Sequence, residues 1–335
     1  MRYIDLRSDT ITKPTEAMRK AIYEAEVGDD VYREDKTVNK LEDLACELTN
    51  KEASLFVPTG SMGNLLSIMI NGGKGTEILC ASNSHIVQHE IGACSAIADT
   101  LPISIPTTTG ILKSEDFAPL IKESGIYDMA RTSILEVENT IGGSIYPIDN
   151  LKKIKTLANE KNLKVHMDGA RVFNASVKSK ISIDTIASYC DTLTFCLSKG
   201  LGAPMGSMLC GDKEFINEAR RFRKMLGSGM RQIGFMAAAG IYALNHNVQR
   251  LEVDHKRASD IVNVLRNNDN ICLHGKNETN IVFFNEIGLT AQQSISKLKD
   301  MRILANIEGS FVRLVTNLNI TDKDMTILLE KLKQL

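Results

Sequence analysis

The sequence predicts an α/β protein, with a large domain whose mostly parallel sheet is covered by helices and a smaller C-terminal α+β domain. Three observations predict this class. The length of 335 residues is enough for one large domain and one small domain. From residue 14 to about 245, short apolar runs alternate with helical periodicity, which is typical of parallel sheets covered on both faces. After residue 245 the alternation ends and a long charged helix begins. We expect domains at 1–245, including an N-terminal arm, and at 246–335.

The predicted elements follow in chain order. Pro14 should open a helix with Met18 and Ile22 on one face, and residues 37–50 carry apolar side chains at helical spacing. Six apolar runs bounded by turn residues predict strands: ASLFVP (53–58), TEILCA (76–81), TSILEVE (132–138), LKVHMD (163–168), TLTFCL (192–197) and GSMLCG (206–211). The second domain should contain a helix over 247–267, strands over 280–285 and 311–316, and helices over 292–300 and 322–335.

The composition excludes several classes of protein. The 40 Lys and Arg residues against 41 Asp and Glu residues leave a formal charge of −1, which argues against a nucleic-acid or anionic-membrane binder. The 7 cysteines are odd in number and lack C-x-x-C spacing, as expected for buried thiols in a reducing compartment. The first residues contain no signal-peptide core, and no apolar run approaches the ~18 residues of a membrane helix. We therefore expect a cytoplasmic protein.

Two polar residues stand at the ends of predicted strands. Asp168 ends the run LKVHMD, and Lys199 closely follows TLTFCL. Ligands of open α/β sheets bind outside the carboxyl ends of the strands, so both side chains are candidates for a site. A partly buried lysine has a lowered amine pKa and can act as a nucleophile toward a carbonyl group. Each residue also has a simpler interpretation, because Asp168 could cap a helix that starts at Gly169 and Lys199 could be a solvated lysine at a strand edge.

The segment VPTGSMGN, residues 57–64, lies between an apolar run and a helical pattern. Gly60, Ser61 and their neighbours offer hydroxyls, a flexible backbone and a helix N-terminus, a combination that can bind phosphate. The same residues would also suit an ordinary helix-starting turn, so both interpretations stay open. No Walker A motif occurs, and GLGAPMG at 200–206 precedes a strand-like run rather than the helix that a dinucleotide fingerprint requires.

A histidine pair is a third candidate. His85 and His89 are four residues apart, so a helix would place both imidazoles on one face, with Glu90 adjacent. They could belong to a zinc site, which needs a third ligand, and a metal hydrolase is therefore one hypothesis. One imidazole could instead stack on a flat cofactor, or both could be ordinary, partly exposed side chains.

Four arginines stand beside small or polar residues: Arg7, Arg171, Arg231 and Arg313. A guanidinium is the natural bidentate partner of a carboxylate, so any of them could clamp an acidic substrate. Most arginines are solvated, and chain position does not separate the two possibilities.

Taken together, these pieces resemble pyridoxal-phosphate enzymes of the aspartate-aminotransferase fold, and more narrowly the low-specificity L-threonine aldolases. The matching segments run in the family's order from the first residues to the last domain: DLRSDTITKPT (5–15), GDDVY (28–32), PTGSMGN (58–64), HMDGARVFNA (166–175), LSKGLGAPMGS (197–207), RKMLGSGMRQ (223–232) and RLVTN (313–317). The resemblance covers essentially the whole chain.

The resemblance implies roles around the cofactor pyridoxal 5'-phosphate. Lys199 would hold it covalently, and Asp168 would face the pyridine nitrogen and keep it protonated, which makes the ring an electron sink. His85 would stack on the ring face. Gly60 and Ser61 would bind the phosphate. The catalytic residues would be Lys199, His85 and Asp168, and no metal is implied.

The resemblance also implies how substrate and subunits are arranged. Ser8, Arg171 and Arg313 would grip the substrate carboxylate, and Arg171 would also count among the cofactor-binding residues. The active site of the family lies at a subunit interface, so Arg231 and Tyr32 would reach a neighbouring subunit's site in a dimer or a dimer of dimers. The partner is thus a small β-hydroxy amino acid, with no nucleic acid or membrane.

The implied reaction is aldol cleavage of L-threonine and L-allo-threonine to glycine and acetaldehyde, with His85 as the candidate base. The chain departs from the family at three positions. Ile141 follows Glu138-Asn139-Thr140 where many relatives have a second histidine, Asn317 stands where a histidine is often found, and Arg33 follows GDDVY where Gly is usual. The alternatives are a β-eliminating, tryptophanase-like lyase of the same fold and, more remotely, the zinc hydrolase with His85 and His89.

Overall fold

The computed structural model describes residues 2–122, 125 and 127–335. Among these residues, strands β1 to β13 span Ile4–Asp5, Ala53–Val57, Thr76–Ala81, Thr100–Ile105, Arg131–Glu138, Lys164–Asp168, Thr192–Cys196, Ser207–Gly211, Ile271–His274, Ile281–Glu286, Ile303–Leu304, Asn306–Glu308 and Phe311–Val315. Helices α1 to α14 span Glu16–Tyr23, Lys36–Thr49, Gly60–Asn71, His85–Gln88, Ala93–Ala96, Ser114–Phe117, Ile148–Glu160, Val172–Ser179, Ile183–Ala187, Lys213–Met225, Gly234–His246, Leu251–Arg266, Ala291–Asp300 and Asp322–Leu332. Short 3-10 turns occupy Asp9–Ile11, Asp30–Tyr32 and Ala118–Leu120.

A seven-stranded sheet forms the centre of the larger part of the molecule. Its strands lie in the order β2-β8-β7-β6-β5-β3-β4. Strand β8 is antiparallel to both of its neighbours, and the other six strands run in one direction. Every residue of β3, β7 and β8 is buried, because apolar clusters cover both faces of the sheet. The predicted α/β class with a mostly parallel sheet is confirmed.

Parallel strands β5, β6 and β7 end at the same edge of this sheet. Glu138, the last residue of β5, is in register with Asp168, the last residue of β6, and Asp168 is in register with Thr194 of β7. Lys199 follows shortly after the end of β7. The topology thus carries three chemically active side chains to one edge, and this edge is where a ligand of such a sheet binds.

The C-terminal part has its own sheet and its own core. Strands β12, β13, β10 and β9 are antiparallel in that order, and α12, α13 and α14 pack against them. Strand β1 pairs in parallel with β11, so Ile4 and Leu6 join this second core rather than the first. The N-terminal arm therefore packs against the C-terminal part. The domain boundary at 245/246 stays a prediction.

Three local features differ from the sequence expectations. Helix α1 begins at Glu16 rather than at Pro14, because the Thr15 hydroxyl accepts a hydrogen bond from the Met18 N–H and caps the helix. Strand β4 was not predicted, because it is a half-exposed edge strand interrupted by Pro102 and lacks an apolar run. The helix at His85 is one turn long and ends at Gln88. Among the described helices, none is both long and apolar enough to cross a membrane.

Candidate active site

Asp168 is a buried hydrogen-bond acceptor at the end of β6, where its side chain is 3% exposed. Its Oδ1 accepts from the Ala170 N–H at 2.9 Å, and its Oδ2 accepts from Asn64 Nδ2 at 2.7 Å. Helix α8 starts at Val172 with Arg171 as its N-cap residue, so Asp168 does not cap that helix. The carboxylate keeps further lone pairs, which suit a protonated nitrogen.

His85 opens helix α4, and its half-buried imidazole is held by carboxylates. Its backbone N–H donates to Glu138 Oε2 at 2.8 Å, and its Nδ1 lies 2.9 Å from Glu90 Oε1. The hydrogen bond to Glu90 raises the pKa of His85, against the opposing effect of burial, and the charges of Asp168, Glu90 and Glu138 add to the rise. Because the Glu90 carboxylate accepts a hydrogen bond from Nδ1–H, the proton of the neutral ring stays on Nδ1. The free lone pair of the ring is then on Nε2. Nε2 can therefore accept a proton.

The second histidine does not extend this group into a metal site. His89 caps the end of α4 and is exposed, with its ring centroid 5.3 Å from that of His85. Among the described residues, the ligand-type atoms that come within metal-binding distance of one another belong to His85, Glu90 and Asp168. Asn64 Nδ2 donates to Asp168 at 2.7 Å and to Glu90 at 3.0 Å, so the NH2 group of one amide already bridges the two carboxylates. Among the residues that the structure describes, the pair of His85 and His89 therefore has no third zinc ligand, contrary to what the zinc hypothesis requires.

Lys199 lies in the loop after β7 and is half-buried. Its charge favours the ionised form of two carboxyl groups, those of buried Asp9 and half-buried Glu138, although other causes raise the pKa of Glu138 overall. Within the described part of the chain, no side chain forms a hydrogen bond or ion pair with its amine. The amine is thus available to a ligand at the sheet edge.

The predicted phosphate segment forms a helix N-terminus beside β7. Helix α3 begins at Gly60, and the Thr59 hydroxyl caps it by accepting from the Met62 N–H at 3.2 Å. The N–H groups of Gly60 and Ser61 lie in the first turn, where donors lack partners inside the helix and the helix dipole favours an anion. A Cβ atom at Gly60 would lie 2.8 Å from Cys196 Sγ, so the close approach of α3 to β7 requires glycine.

These groups form a donor set that fits pyridoxal phosphate. The sheet edge offers a primary amine for its aldehyde, a buried carboxylate for its ring nitrogen, an imidazole for its ring face and a helix N-terminus for its phosphate. The residues in these positions are Lys199, Asp168, His85 and the pair Gly60 and Ser61.

Arg171, predicted to grip a carboxylate, is bonded to Asp9 of the N-terminal arm. Its Nε donates to Asp9 Oδ2 and its Nη2 to Asp9 Oδ1, each at 2.8 Å. Asn280 Nδ2 donates to the same Oδ2 at 3.1 Å. Burial raises the pKa of Asp9, but the charge and hydrogen bonds of Arg171 outweigh it and bring the pKa to about 2. Arg171 uses one edge of its guanidinium here, and its Nη1 remains for a further acceptor.

The other two predicted substrate residues lie near each other on the arm and the small sheet. Arg313 Nη1 donates to Glu308, and its Nη2 donates to the Arg7 carbonyl at 3.3 Å. Ser8 Oγ accepts from the Thr10 N–H at 3.1 Å and caps the 3-10 turn that follows. Their roles toward a substrate stay predictions. Arg7 itself pairs with Asp5 at 2.6 Å.

Tyr32 and Arg231, predicted to reach a neighbouring subunit, lie in segments that contact each other. Arg231 Nη1 donates to Asp29 Oδ2 at 2.8 Å, and the Arg231 carbonyl accepts from the Asp30 N–H at 3.2 Å. Tyr32 is 71% exposed. Arg33 has a φ of 62°, in the left-handed region that favours glycine, which accounts for the usual Gly at this position.

The structure adds carboxyl groups that the sequence analysis did not identify. Glu136 on β5 is buried and Glu138 at its end is half-buried. Desolvation, with the charge of Asp168, raises the pKa of Glu138 to about 8. Burial raises the pKa of Glu136 well above its usual value, and within the described chain neither of its carboxyl oxygens has a hydrogen-bond partner. The sequence feature that could have identified them is the presence of two acidic residues in the apolar run TSILEVE, because charged side chains are rare in buried strands.

Ile141 and Asn317, which stand where the resemblance led us to expect histidines, are both buried. Ile141 packs on Gly110, where a Cβ atom would lie 2.6 Å from Ile141 Cδ1. Asn317 Oδ1 accepts from the Asn319 N–H at 3.0 Å. The side chain of Ile141 has no atom that can accept a proton.

Comparison with known proteins identifies the family of this chain. The sequence profile of the beta-eliminating lyase family matches residues 5–286. The chain is 41% identical over 323 residues to the low specificity L-threonine aldolase of Escherichia coli (strain K12), with 96% of each chain covered. It is 38% identical over 340 residues to the probable low-specificity L-threonine aldolase 2 of Arabidopsis thaliana, which covers 98% of this chain and 96% of that protein.

A solved structure shares the fold. The Leishmania major threonine aldolase superposes with a TM-score of 0.87 over 99% of both chains at 18% sequence identity. From its sequence matches over nearly the whole chain, the protein belongs to the beta-eliminating lyase family, in the group of the low-specificity L-threonine aldolases.

Proposed function

We propose that this protein is a lyase that cleaves L-threonine and L-allo-threonine to glycine and acetaldehyde with pyridoxal 5'-phosphate as cofactor. The observation that carries the proposal is the placement of the Asp168 carboxylate at the end of β6 and of Lys199 in the loop after the neighbouring β7, with no side chain of the described residues bonded to the Lys199 amine. The relatives at about 40% identity are named as low-specificity L-threonine aldolases, which supports the substrate class.

Each group of the site has a defined task in this proposal. Lys199 holds the cofactor covalently, and Asp168 faces its ring nitrogen. The N–H groups of Gly60 and Ser61 bind its phosphate. Bound pyridoxal phosphate accepts the electron pair that is released when the substrate's Cα–Cβ bond breaks.

His85 is the proposed base for the β-hydroxyl proton. Glu90 holds the proton on Nδ1, which leaves Nε2 as the accepting atom. The raised pKa of His85 makes it a stronger base but leaves a larger protonated fraction near neutral pH. Activity should therefore rise with pH through the pKa of His85.

Arg313, Ser8 and the Nη1 edge of Arg171 are the proposed holders of the substrate carboxylate. Arg171 is oriented by Asp9, and Arg313 is oriented by Glu308. Two guanidinium groups and a hydroxyl on separate elements would fix the carboxylate and thereby the direction of the bond that breaks.

We also propose a cytoplasmic homo-oligomer in which Tyr32 and Arg231 face a neighbouring subunit's site. The exposed tyrosine ring and the contact between its segment and that of Arg231 support the shared surface. All seven cysteines are free thiols, which supports a reducing compartment. Sedimentation of the wild-type chain against Tyr32→Ala and Arg231→Ala variants distinguishes a dimer from a dimer of dimers and tests both contacts.

The decisive experiment traps the lysine and identifies the products. After reconstitution with pyridoxal phosphate, borohydride reduction and peptide mapping should place the label on Lys199. L-threonine should yield glycine and acetaldehyde in equal amounts. Lys199→Ala should abolish turnover, whereas Lys164→Ala, an exposed lysine at the opposite end of β6, should not. If ammonia and a keto acid are the products, the protein is a β-eliminating lyase and not an aldolase. A label on another lysine would refute the role of Lys199.

A further inference from the structure

A chain of buried polar side chains lies behind the active-site edge, between α3 and strands β6 and β7. Its central members are Asn64, His166 and Thr192, all of which are at most 3% exposed. Ser67 extends the chain at one end, and Asp168 stands at the other. Of these five residues, only Asp168 has a role in the function proposed above.

The active-site end of the chain fixes the orientation of one amide group. Asn64 Nδ2 donates to Asp168 Oδ2 at 2.7 Å and to Glu90 Oε1 at 3.0 Å, so both of its hydrogens meet carboxylates. The reverse orientation would turn the Asn64 carbonyl oxygen toward two carboxylate oxygens, which repel it. The Asn64 oxygen must therefore point away from the site.

That orientation determines the rest of the chain. The Asn64 oxygen accepts from His166 Nε2 at 3.1 Å, so Nε2 carries the proton of the ring. The Nδ1 atom of His166 then accepts from the Thr192 hydroxyl at 2.9 Å, which in turn accepts from the Ser67 hydroxyl at 2.8 Å. A single ring proton satisfies both nitrogens, and burial lowers the pKa of His166 to about 4, so the ring is neutral near pH 7.

We propose that Asn64 is a positioning residue that sets Asp168 and Glu90 relative to each other through one amide group, which His166 holds in place. This inference rests on the proposed function, because it gives that function's two key groups a common support. Asp168 is the carboxylate for the ring nitrogen, and Glu90 holds Nδ1 of His85. The two N–H bonds of one amide group therefore couple cofactor binding to the protonation of the base.

The charged groups around His85 define what a change at Asn64 should do. Glu90, from the loop after α4, contacts Nδ1, while Glu138 of β5 and Asp168 of β6 contribute their charges. Asn64→Asp keeps an oxygen for His166 but removes both N–H donors and adds a third carboxyl group beside Asp168 and Glu90. Asn64→Ala removes the donors and the acceptor without adding charge.

The test measures cofactor affinity and histidine titration in the full chain. Pyridoxal phosphate is titrated by absorbance without substrate, and the pKa of His85 is followed by NMR of 15N-histidine-labelled protein, with the signal assigned by comparison with His85→Gln. Asn71→Asp is the matched control, because it makes the same chemical change on α3, at a residue that contacts Ser67 rather than a carboxylate.

We expect Asn64→Asp to weaken cofactor binding about 10- to 100-fold, because Asp168 without its Asn64 donor is misplaced for the ring nitrogen, and a hydrogen bond to a charged group has an effect of this size. The titration midpoint of His85 should move to higher pH, while His166 stays neutral with its proton on Nε2. Asn64→Ala should also weaken cofactor binding, and it decides the matter if Asn64→Asp does not fold. The control should match the wild type in both measurements.

Cofactor affinity within twofold of wild type in both Asn64 variants would overturn the proposal. So would a loss of stability with an unchanged His85 midpoint, because a purely structural residue gives that result. Neither measurement uses substrate, so failure of this inference is separate from failure of the proposed reaction, which the wild-type products decide.

Discussion

Arg171 and Asp9 form a bidentate ion pair, with both N···O distances at 2.8 Å and the Asp9 side chain fully buried. The pair joins the N-terminal arm to the segment that follows β6, and Asn280 at the start of β10 donates to the same carboxylate. Arm, large sheet and small sheet therefore meet at one carboxyl group beside the proposed substrate site.

Asp9→Asn should destabilise the protein strongly, because it leaves the Arg171 guanidinium buried without a counter-charge. We expect the free energy of unfolding in urea at pH 7 to fall by about 3–5 kcal/mol. Asp5→Asn is the control on the same arm. It breaks the exposed Arg7 pair and should cost under about 1 kcal/mol. Equal losses of free energy of unfolding in the two variants would contradict the role of Asp9 as the counter-charge of Arg171.

The same pair predicts an acid limit to stability. Folding lowers the pKa of Asp9 from 3.8 to about 2. The unfolded chain therefore binds a proton more readily, and the contribution of Asp9 is complete above about pH 4 and is lost as pH falls toward 2. Wild-type stability should fall over this window, and Asp9→Asn should show a smaller fall there in the same urea titration.

Arg313 should contribute to substrate affinity more than to cofactor affinity. Arg313→Ala should raise KM for L-threonine at least about tenfold, the loss expected for a charge-assisted hydrogen bond. Glu308→Gln should raise KM by a smaller factor, because a neutral amide oxygen orients the Arg313 guanidinium less strongly than the carboxylate does. Arg302→Ala, on an arginine that stacks over Tyr3, is the control. Unchanged KM in Arg313→Ala would remove this residue from the proposed site.

Glu136→Gln should make the protein relatively more stable as pH rises. Burial raises the folded pKa of Glu136 well above 4.5, so the folded protein retains a proton that the unfolded chain releases. At pH values above the unfolded-state pKa, the free energy of unfolding of the wild type therefore falls by up to about 1.4 kcal/mol per pH unit. The variant lacks this loss, because glutamine does not titrate. Urea unfolding between pH 5 and 8 should show the difference growing in favour of the variant. A difference in stability that stays constant over this pH range would contradict the prediction.

Gly63→Ala should push helix α3 away from β7. A Cβ atom at this position would lie 2.6 Å from Thr194 Cγ2 and 2.8 Å from Thr194 Oγ1. Overpacking of this kind costs about 1–3 kcal/mol in free energy of unfolding. In the double variant with Thr194→Ala the clash disappears, so the two losses should fall short of additivity by about 1 kcal/mol or more. Additive losses would mean that the two residues do not limit the approach.

Much of this protein could be predicted from local sequence pattern. Each of the six apolar runs is a strand of the large sheet, and the charged segment that follows residue 245 forms α12. Both could be predicted because burial of a strand on two faces gives a continuous apolar run, and burial of a helix on one face gives apolar residues at helical spacing. Lys199 and Asp168 could be singled out because polar residues directly after buried strands reach the binding edge of such a sheet. Strand β4 could not, since an exposed edge strand carries no apolar period.

The sequence by itself determined the α/β class, the residues at the strand ends and the family. Only the tertiary structure decided that Arg171 pairs with Asp9, 162 positions away, that Arg313 pairs with Glu308, and that Asn64 joins Asp168 to Glu90. The physical reason is range. Strand and helix periods are set by near neighbours, whereas a buried charge or amide finds its partner only after distant segments have packed together.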